Sequence, residues 1–508
     1  MIRSENKFPQ RGKAAKRNFD LREPTHAQQL FNVALSSRES ERSAKKASPL
    51  RSAPKPLNGM TTVFARGLVT TLILAILIWL VAFSAYSTAS TSPLRKSTRT
   101  ESASDAGAVS TDTPEGRLAV FDDLWQTVAD HYYTDTFHGV DWPAQRRLFR
   151  PLAAQARDAR ELYAELRRML SLLQDAHTRV YAPEEKFDWQ HPKFISIGIS
   201  LREVEGRPTV FRVERGSQAQ RAGIHPGDVI ETIGGESASA LLEKRQREHA
   251  SSTPRAAHLQ ALGALTDGPP GTNLTINWRD ANSLEHQAVF QRQWRERSFA
   301  LRTHQLRKGI VLIEIDAFTQ TLAFEFAASV RHTLLHARGL ILDLRGNGGG
   351  DATAMAEIAS LFLPAATRLG QFTNRQGSVA LALETDAMFA TAVDRNKASQ
   401  IPLVILTSER TSSAAEIFVA ALQHSPRVSV VGGQTCGCVL AVRMHHALPD
   451  GGELEVSELD YRTEKGLRLE GQGIIPDEVV GLTRRDLYAH RDRLLELART
   501  RLRNSLPR

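Results

Sequence analysis

The amino-acid sequence of 508 residues predicts a multidomain α/β (α+β) protein whose core is a mainly parallel sheet. Two segments carry this prediction, since each has an apolar strand, a loop and then a helical pattern: one strand spans 340–344 and the other 403–406. Strands that alternate with helices pair in parallel, because each crossover helix returns the chain to the same end of the sheet. The hydrophobic fraction of 41% is that of a globular protein with a sizeable core.

The first 66 residues form a basic tail that their composition predicts to be disordered. They hold 14 of the 65 Lys and Arg residues and 5 of the 56 Asp and Glu residues, which leaves 51 charges of each sign in the rest of the chain. The net charge of +9 is therefore a property of the tail. A body without a basic excess gives no support to nucleic-acid binding.

An uncharged run of twenty residues follows at 67–86, which is the length that a helix needs to cross a bilayer. The basic tail precedes this run, so the positive-inside rule places the N-terminus in the cytoplasm and the body in the periplasm or another extracytoplasmic space. A cleavable signal peptide that starts at Met60 is the alternative. Residues 87–114, rich in Ser and Thr, are predicted to be a linker.

Two regions of different periodicity precede the predicted core at 300–482. Apolar residues recur every three or four positions within 115–188, which predicts a helical module. From 190 to 295 the pattern changes to alternation with frequent turn signals, which predicts a β-domain with a helical insert at 238–262. The last segment, 483–508, is predicted to be a C-terminal helix or tail.

Ser413 is the candidate nucleophile, because it falls where the helix after strand 403–406 begins. Free backbone N–H groups and the positive end of the helix dipole at such a place can stabilise a developing oxyanion. The alternative is that Ser412 or Ser413 only caps the helix.

A glycine cluster follows the other core strand, with Gly346, Gly348, Gly349 and Gly350. It is not a phosphate loop, because no Gly-Lys-Ser/Thr follows, and not a dinucleotide loop, because Asp351 stands where G-x-G-x-x-G needs its last glycine. Two interpretations remain: a tight turn, and a loop that presents N–H donors to an oxyanion.

Both stretches resemble the C-terminal processing (tail-specific) serine peptidases and their tricorn relatives. Residues 413–417 (SAAEI) are similar to the nucleophile motif S-A-S-E-I of that family, and residues 343–350 match its D-L-R-x-N-x-G-G loop. The resemblance implies that Ser413 is the nucleophile. It also implies that the N–H groups of Ala414 and of Gly349 or Gly350 hold the oxyanion.

The chain departs from the tail-specific branch at the lysine base. Cys438 stands at the lysine position and Val442 at that of the accompanying glutamine, so a Ser/Lys dyad is not available. The tricorn-like branch uses a Ser-His-Glu set, whose counterparts here are His177 and Glu470. The resemblance thus implies His177 as the base and Glu470 as the carboxylate that orients it. A structural histidine and a surface carboxylate are the alternatives.

Residues 190–295 closely resemble a PDZ domain. The stretch 217–224 (SQAQRAGI), followed by Pro-Gly-Asp at 226–228, is similar to the helix and turn of bacterial PDZ domains. The resemblance implies an edge strand to which an extended peptide adds, with N–H groups that capture its terminal carboxylate. This peptide-binding strand is predicted at Ser196, Ile197, Gly198 and Ile199.

No cofactor and no metal is predicted. His332 and His336 lie four apart on a predicted helix but lack the glutamate of an H-E-x-x-H motif. The only two cysteines are Cys436 and Cys438, separated by one glycine. Two buried thiols are the simpler interpretation, and a disulfide across that glycine is the alternative.

The sequence thus predicts a membrane-anchored serine endopeptidase that hydrolyses peptide bonds of extracytoplasmic proteins. Its PDZ-like domain would recognise unstructured or C-terminal segments and could gate the active site. The expected partners are protein or peptide substrates and the membrane, without nucleic acid, and the oligomeric state is left open. The alternative is a catalytically inactive scaffold that keeps the peptidase fold and binds peptides.

Overall fold

The structure is a computed structural model and describes residues 109–185, 192–248, 251–334, 336–386 and 400–505. The predicted basic tail, the predicted transmembrane span and nearly all of the predicted linker lie outside these residues. Within the described ranges, no helix has both the length and the hydropathy needed to cross a bilayer. Of the two histidines considered for a metal, the side chain of His332 lies outside the described part and His336 is exposed.

The described elements run in the order of the chain. The helices are α1 (Pro114–His131), α2 (Trp142–Gln155), α3 (Ala159–Ser171), α4 (Gln218–Arg221), α5 (Ala238–Glu248), α6 (Pro254–Gly263), α7 (Gln320–Leu334), α8 (Ala352–Ala359), α9 (Ala414–Gln423), α10 (Arg484–Tyr488) and α11 (Arg493–Ser505). The first ten strands are β1 (Arg179–Tyr181), β2 (Lys193–Ser196), β3 (Ile199–Val204), β4 (Arg207–Val213), β5 (Val229–Ile233), β6 (Glu236–Ser237), β7 (Asn273–Arg279), β8 (Glu285–Gln291), β9 (Gln293–Glu296) and β10 (Leu301–Gln305). The remaining strands are β11 (Ile310–Ile315), β12 (Gly339–Asp343), β13 (Arg368–Thr373), β14 (Val379–Glu384), β15 (Leu403–Thr407), β16 (Val428–Gly432), β17 (Ala441–Ala447), β18 (Glu453–Arg462) and β19 (Glu478–Val479).

A six-stranded sheet in the order β10-β11-β12-β15-β16-β19 forms the core. Its neighbours pair in parallel, except that β10 runs antiparallel to β11. Every residue of β15 is buried, as the unbroken apolar run predicts for a strand covered on both faces. Helices α7, α8 and α9 pack on one face and α11 packs on the other. The predicted mainly parallel core is therefore confirmed.

A second sheet, which the sequence did not predict, is built mostly from the region assigned to the core. Strand β18 is its centre and pairs antiparallel with β1, β13 and β17, while β14 adds at the edge. Residues 454–459 of β18 are buried on both faces, so this strand lacks the alternation that marks a half-exposed strand. Leu454 and Val456 pack with α1, α2 and α3, so the predicted helical module shares one hydrophobic core with this sheet.

The predicted β-domain is present as a sheet in the order β3-β4-β5-β7-β8, with β6 paired to β5 and a separate β2–β9 ladder. The prediction of one strand over Ser196, Ile197, Gly198 and Ile199 is wrong, because β2 ends at Ser196 and β3 begins at Ile199. Gly198 turns the chain between them with a φ of 93°, and a Cβ there would lie 2.3 Å from the Cβ of Ser217. The edge of the sheet is β3, and α6 lies alongside it.

The C-terminal segment ties the β-domain to the core. In α10, the Tyr488 hydroxyl donates to Asp228 at 3.2 Å, and Arg484 donates to the carbonyl of Gly227 at 3.0 Å. In α11, Ala498 and Leu502 are buried against the core sheet. The predicted C-terminal helix is thus a packed part of the fold.

Candidate active site

Ser413 lies in the loop between β15 and α9, immediately before the first residue of the helix. Its backbone has φ 56° and ψ −125°, which differs from the extended conformation of an ordinary N-cap residue. Its N–H donates to the carbonyl of Cys438 at 2.9 Å and to Glu416 Oε2 at 3.1 Å. A non-glycine residue held at positive φ by its surroundings is typical of functional sites.

The glycine loop after β12 packs directly on Ser413. Gly349 has a φ of 97°, and a Cβ on it would lie 2.7 Å from the Cβ of Ser413 and 3.1 Å from the nitrogen of Ala414. Of the two interpretations of the glycine cluster, this close approach favours a loop that serves the serine.

The N–H groups around Ser413 differ in their availability. The N–H of Gly349 donates to Asn347 Oδ1 at 2.8 Å, and the buried Asn347 amide donates to the carbonyl of Ile315 at 3.1 Å. Among the described residues, the N–H groups of Ala414 and Gly350 have no hydrogen-bond acceptor. The N–H groups of Ala414 and Gly350 are therefore free to donate in this conformation, whereas that of Gly349 is engaged.

Glu416 is a buried residue of the site for which the sequence predicted no role. Its carboxylate accepts hydrogen bonds from the Thr435 hydroxyl at 2.5 Å and from the N–H groups of Gly437 at 2.7 Å and Cys438 at 3.0 Å. Burial raises the pKa of Glu416, and these hydrogen bonds oppose the rise. Glu416 thereby holds the loop 435–438 against Ser413. The position of Glu416 within the motif 413–417 is the sequence signal that could have indicated this role.

Cys436 and Cys438 form a disulfide, which corrects the simpler interpretation as two thiols. The two residues are neighbours in the same tight loop, and both are buried. The structure therefore provides neither an amine nor a free thiol at the position where the tail-specific branch has its lysine.

His177 follows a loop that Asp175 organises. Asp175 accepts hydrogen bonds from the N–H groups of His177 at 2.6 Å and Thr178 at 2.9 Å, and from the Ser457 hydroxyl at 2.8 Å. Burial lowers the pKa of His177 to about 4, although the charge of Asp175 opposes this shift. The imidazole is therefore neutral near pH 7 and able to accept a proton.

Glu470 is buried beside the loop 435–438 and is not a surface carboxylate. Its Oε2 accepts hydrogen bonds from the N–H groups of Val439 at 2.5 Å and Leu440 at 3.1 Å. Burial raises the pKa of Glu470 to about 7, and the Ser252 hydroxyl, followed by these N–H groups, opposes the rise. The charge of Asp175 also raises this pKa, which places Glu470 within electrostatic reach of the loop that carries His177.

No hydrogen bond joins the side chains of Ser413, His177 and Glu470 in the described structure. Two buried polar atoms, His177 Nδ1 and Glu470 Oε1, have no hydrogen-bond partner there. Ala176, the neighbour of His177, packs against Cys436 and Cys438. The structure thus gathers the three predicted residues around one loop but does not connect them.

The start of α6 in the β-domain also reaches these loops. The Ser252 hydroxyl accepts from the N–H of Ala176 at 3.1 Å, and the Thr253 hydroxyl donates to the carbonyl of Cys436 at 2.7 Å. Arg255 donates to the carbonyl of Thr435 at 3.1 Å. The sequence did not reveal the role of the helical insert. In the structure, the insert supports both the loop that carries His177 and the loop that carries Cys436.

Three protein-family models match the chain. They are Peptidase family S41 over residues 309–480, the Tricorn protease C1 domain over 114–171 and the PDZ domain over 189–262. These ranges correspond to the parallel core, to helices α1–α3 and to the first part of the β-domain.

Known proteins with similar sequences include the carboxyl-terminal-processing protease of Synechocystis sp., which is 29% identical over 366 residues, or 70% of this chain and 79% of the relative. Carboxyl-terminal-processing peptidase 3, chloroplastic, of Arabidopsis thaliana is 25% identical over 374 residues, or 70% of this chain and 67% of the relative. The crystal structure of mature CPAF has a TM-score of 0.59 at 13% identity, and the match covers 77% of this chain and 98% of that one. This last likeness is one of fold.

Proposed function

Since this chain is a serine-type peptidase of family S41 with a PDZ domain, we propose that it is a membrane-anchored endopeptidase of extracytoplasmic proteins, with Ser413 as its nucleophile. The observation that carries the proposal is the setting of Ser413. This residue stands at positive φ before α9, against Gly349, and next to the acceptor-free N–H of Ala414. Acyl transfer requires N–H donors near the nucleophile that hold the carbonyl oxygen of the substrate as it becomes negative.

The proposed reaction is acyl transfer followed by hydrolysis. Ser413 Oγ attacks the scissile carbonyl carbon while His177 takes the hydroxyl proton, and the N–H groups of Ala414 and Gly350 hold the negative oxygen. The C–N bond then breaks, and His177 gives its proton to the departing amine. Water, deprotonated by His177, then attacks the carbonyl carbon of the ester. The bond from that carbon to Ser413 Oγ breaks, and His177 returns the proton to Oγ.

Glu470 is proposed to orient His177. The unpartnered Glu470 Oε1 and His177 Nδ1 are both buried, and a buried polar atom without a partner is costly. A movement that joins these two atoms would satisfy both and would leave the other ring nitrogen of His177 to take the proton of Ser413. Catalytic hydrogen bonds often tighten only when substrate binds. The disulfide at Cys438 supports this mechanism over a lysine base, because no amine stands at that position.

The PDZ domain is proposed to select unstructured or C-terminal segments and to gate the site. A peptide that adds to the edge strand β3 would lie next to α6, where His258 Nε2 is 3.0 Å from Glu203 Oε2 of β3. The start of α6 supports the loops at Ala176 and Cys436. Occupation of the edge can therefore be transmitted to the His177 loop through one helix.

The membrane anchor is proposed from the sequence at 67–86 and the basic tail that precedes it. This topology places the peptidase body on the extracytoplasmic side. Protease added to intact spheroplasts should digest the body and spare the first 66 residues. The opposite pattern would reverse the orientation.

A fluorophosphonate probe tests the nucleophile. The purified full-length protein should cleave an unfolded protein, and the probe should stop this cleavage while it forms one covalent adduct. Mass spectrometry of the tryptic peptides should place the adduct on Ser413. The adjacent Ser412 is an internal control, since both hydroxyls share one peptide. An adduct on Ser412 would contradict Ser413 as the nucleophile, and a folded protein with neither adduct nor hydrolysis would favour the scaffold.

Peptide recognition can be measured separately in the full-length Ser413→Ala variant, which should bind substrate without cleaving it. A peptide with a free C-terminal carboxylate is expected to bind more tightly than the same peptide with an amidated C-terminus. The reason is that the amide removes the charge that the backbone N–H groups would hold. Equal dissociation constants for the two peptides would rule out this recognition mode.

A further inference from the structure

We propose that His131, His446 and Glu458 form a binding site for a divalent transition metal ion of the zinc type, away from the proposed catalytic residues. Each of the three offers one ligand atom, and these atoms lie within 4.8 Å of one another. His446 Nε2 is 3.3 Å from Glu458 Oε1, and His131 Nδ1 is 3.8 Å from Glu458 Oε2. Ligand atoms in a tetrahedral zinc site are separated by about 3.4 Å, so little movement is needed to bind an ion.

The packing of α1 against β17 and β18 brings these three residues together. His131 is the last residue of α1, which covers one face of the sheet that contains β17 and β18. Side chains alternate along a strand, and Glu458 shares a face with Leu454 and Val456, which pack beneath the helices. His446 pairs with Leu454 in the ladder and is therefore on the same face. The ligands come from three separate elements and are fixed by packing.

The charge of Glu458 is the second observation. Its side chain is only 7% exposed, and within the described residues its ion-pair partners are the imidazoles of His131 and His446. By contrast, Asp460 on the same strand is paired with Arg462 and Arg468. A buried carboxylate needs a partner that balances its charge, and within the described residues no Lys or Arg pairs with Glu458. A divalent cation between the three residues would balance it.

The site is open on one side. The His131 side chain is 44% exposed and that of His446 14%, so an ion can enter from solvent and keep a water molecule as its fourth ligand. Two imidazoles and a carboxylate suit zinc and the neighbouring transition metals, whereas magnesium and calcium prefer oxygen ligands alone.

A neighbouring cluster on the opposite face of the sheet provides a comparison. His445 Nδ1 lies 2.8 Å from Glu453 and 3.5 Å from Glu455, and these residues also form a group of metal-ligand type. This cluster has a single imidazole, and Glu455 is shared with the Tyr181 hydroxyl at 3.4 Å. It is therefore less suited to a zinc-type ion than the group of His131, His446 and Glu458.

The position of the site indicates a structural role. Ser457, next to Glu458, donates to Asp175 at 2.8 Å, and its carbonyl accepts from the N–H of Tyr133 at 2.8 Å. An ion held by His131 and Glu458 would fasten the end of α1 to β18 at this point. It would thereby brace the strand that supports the His177 loop.

Isothermal titration of the untagged, chelator-treated full-length protein with Zn²⁺ tests the proposal. One ion per chain is expected to bind. His446→Ala and Glu458→Gln are each expected to lower the affinity for Zn²⁺ by at least about tenfold to a hundredfold. Removal of a residue that only hydrogen-bonds to a metal ligand typically costs this much affinity, so removal of a ligand should cost no less. Since Glu458 is buried, the variant His131→Ala at an exposed helix end provides the same test with less risk to folding.

Two matched controls separate this site from other histidine–glutamate pairs. His304 lies 3.4 Å from Glu314 without a second imidazole, and His304→Ala should bind Zn²⁺ like the wild type. His445→Ala should also retain binding. Co²⁺ in place of Zn²⁺ should give the visible absorption of a tetrahedral centre in the wild type but not in His131→Ala. The proposal is overturned if the wild type does not bind Zn²⁺, if binding survives in His131→Ala and His446→Ala, or if only His445→Ala abolishes it.

Discussion

His177→Ala is expected to lower kcat for an unfolded protein substrate by at least about 10³-fold. The substitution removes the group that takes the Ser413 proton. The position of the lysine base in the tail-specific branch is occupied by Cys438, whose sulfur is held in a disulfide and cannot act as a base instead. The low pKa of His177 keeps the wild-type imidazole neutral at pH 8, where Glu470, with a pKa of about 7, is ionised. The difference between the proteins should therefore be largest near pH 8 and should shrink as the pH falls through 7 and Glu470 becomes protonated. Initial rates of hydrolysis at saturating substrate would measure it.

His304→Ala is the matched control for this loss, since His304 lies on β10 and pairs with Glu314. It should retain the wild-type kcat. The kcat of Glu470→Gln is expected to lie between those of His177→Ala and His304→Ala, because an orienting carboxylate contributes less to catalysis than the base. Wild-type hydrolysis and fluorophosphonate labelling in His177→Ala would show that another group activates the serine.

Gly349→Ala is expected to lower kcat/KM by about 10²-fold, the cost of moving a catalytic group by roughly 1 Å. The added Cβ would lie 2.7 Å from the Cβ of Ser413 and 2.9 Å from the carbonyl oxygen of Ser412, so the nucleophile or the loop must shift. The φ of 97° adds about 1–3 kcal/mol of backbone strain for an alanine. The expected result is therefore both lower activity and a lower Tm.

Gly346→Ala is the matched control within the same loop. A Cβ at Gly346 meets no atom within 4 Å, so this variant should keep its activity and its Tm. Steady-state hydrolysis and thermal unfolding of both variants complete the comparison. If Gly349→Ala were as active as Gly346→Ala, the close approach of the loop to Ser413 would have no part in catalysis.

The elements that local sequence predicted are those whose signals lie within a short stretch. Strand β15 is an unbroken apolar run, and Ser413 is placed by the turn and helical spacing that follow it. The Gly349 turn was identified in the same way, since only glycine adopts its φ without strain. Family resemblance then supplied His177 and Glu470, which no local pattern marks.

The local sequence pattern gave a wrong prediction or none where the structure of one segment depends on its contact with another. The residues around Gly198 alternate like a strand, yet the approach of Ser217 turns the chain there. Strand β18 has no clear alternation because helices and the core bury both of its faces. Glu416 looks like an ordinary helix residue until the loop 435–438 folds over it.

The sequence by itself determined two strand–loop–helix units of the parallel core, with strands at 340–344 and 403–406, and where the serine and the glycine loop stand, because hydrophobic period and backbone freedom act between neighbours in the chain. Tertiary structure alone decided what surrounds them. Asp175 meets Ser457 across 282 residues, and His131 meets His446 although the two residues are far apart in the sequence. Such contacts depend on how sheets and helices pack, and packing is set by the summed fit of many side chains, which no single stretch of sequence encodes.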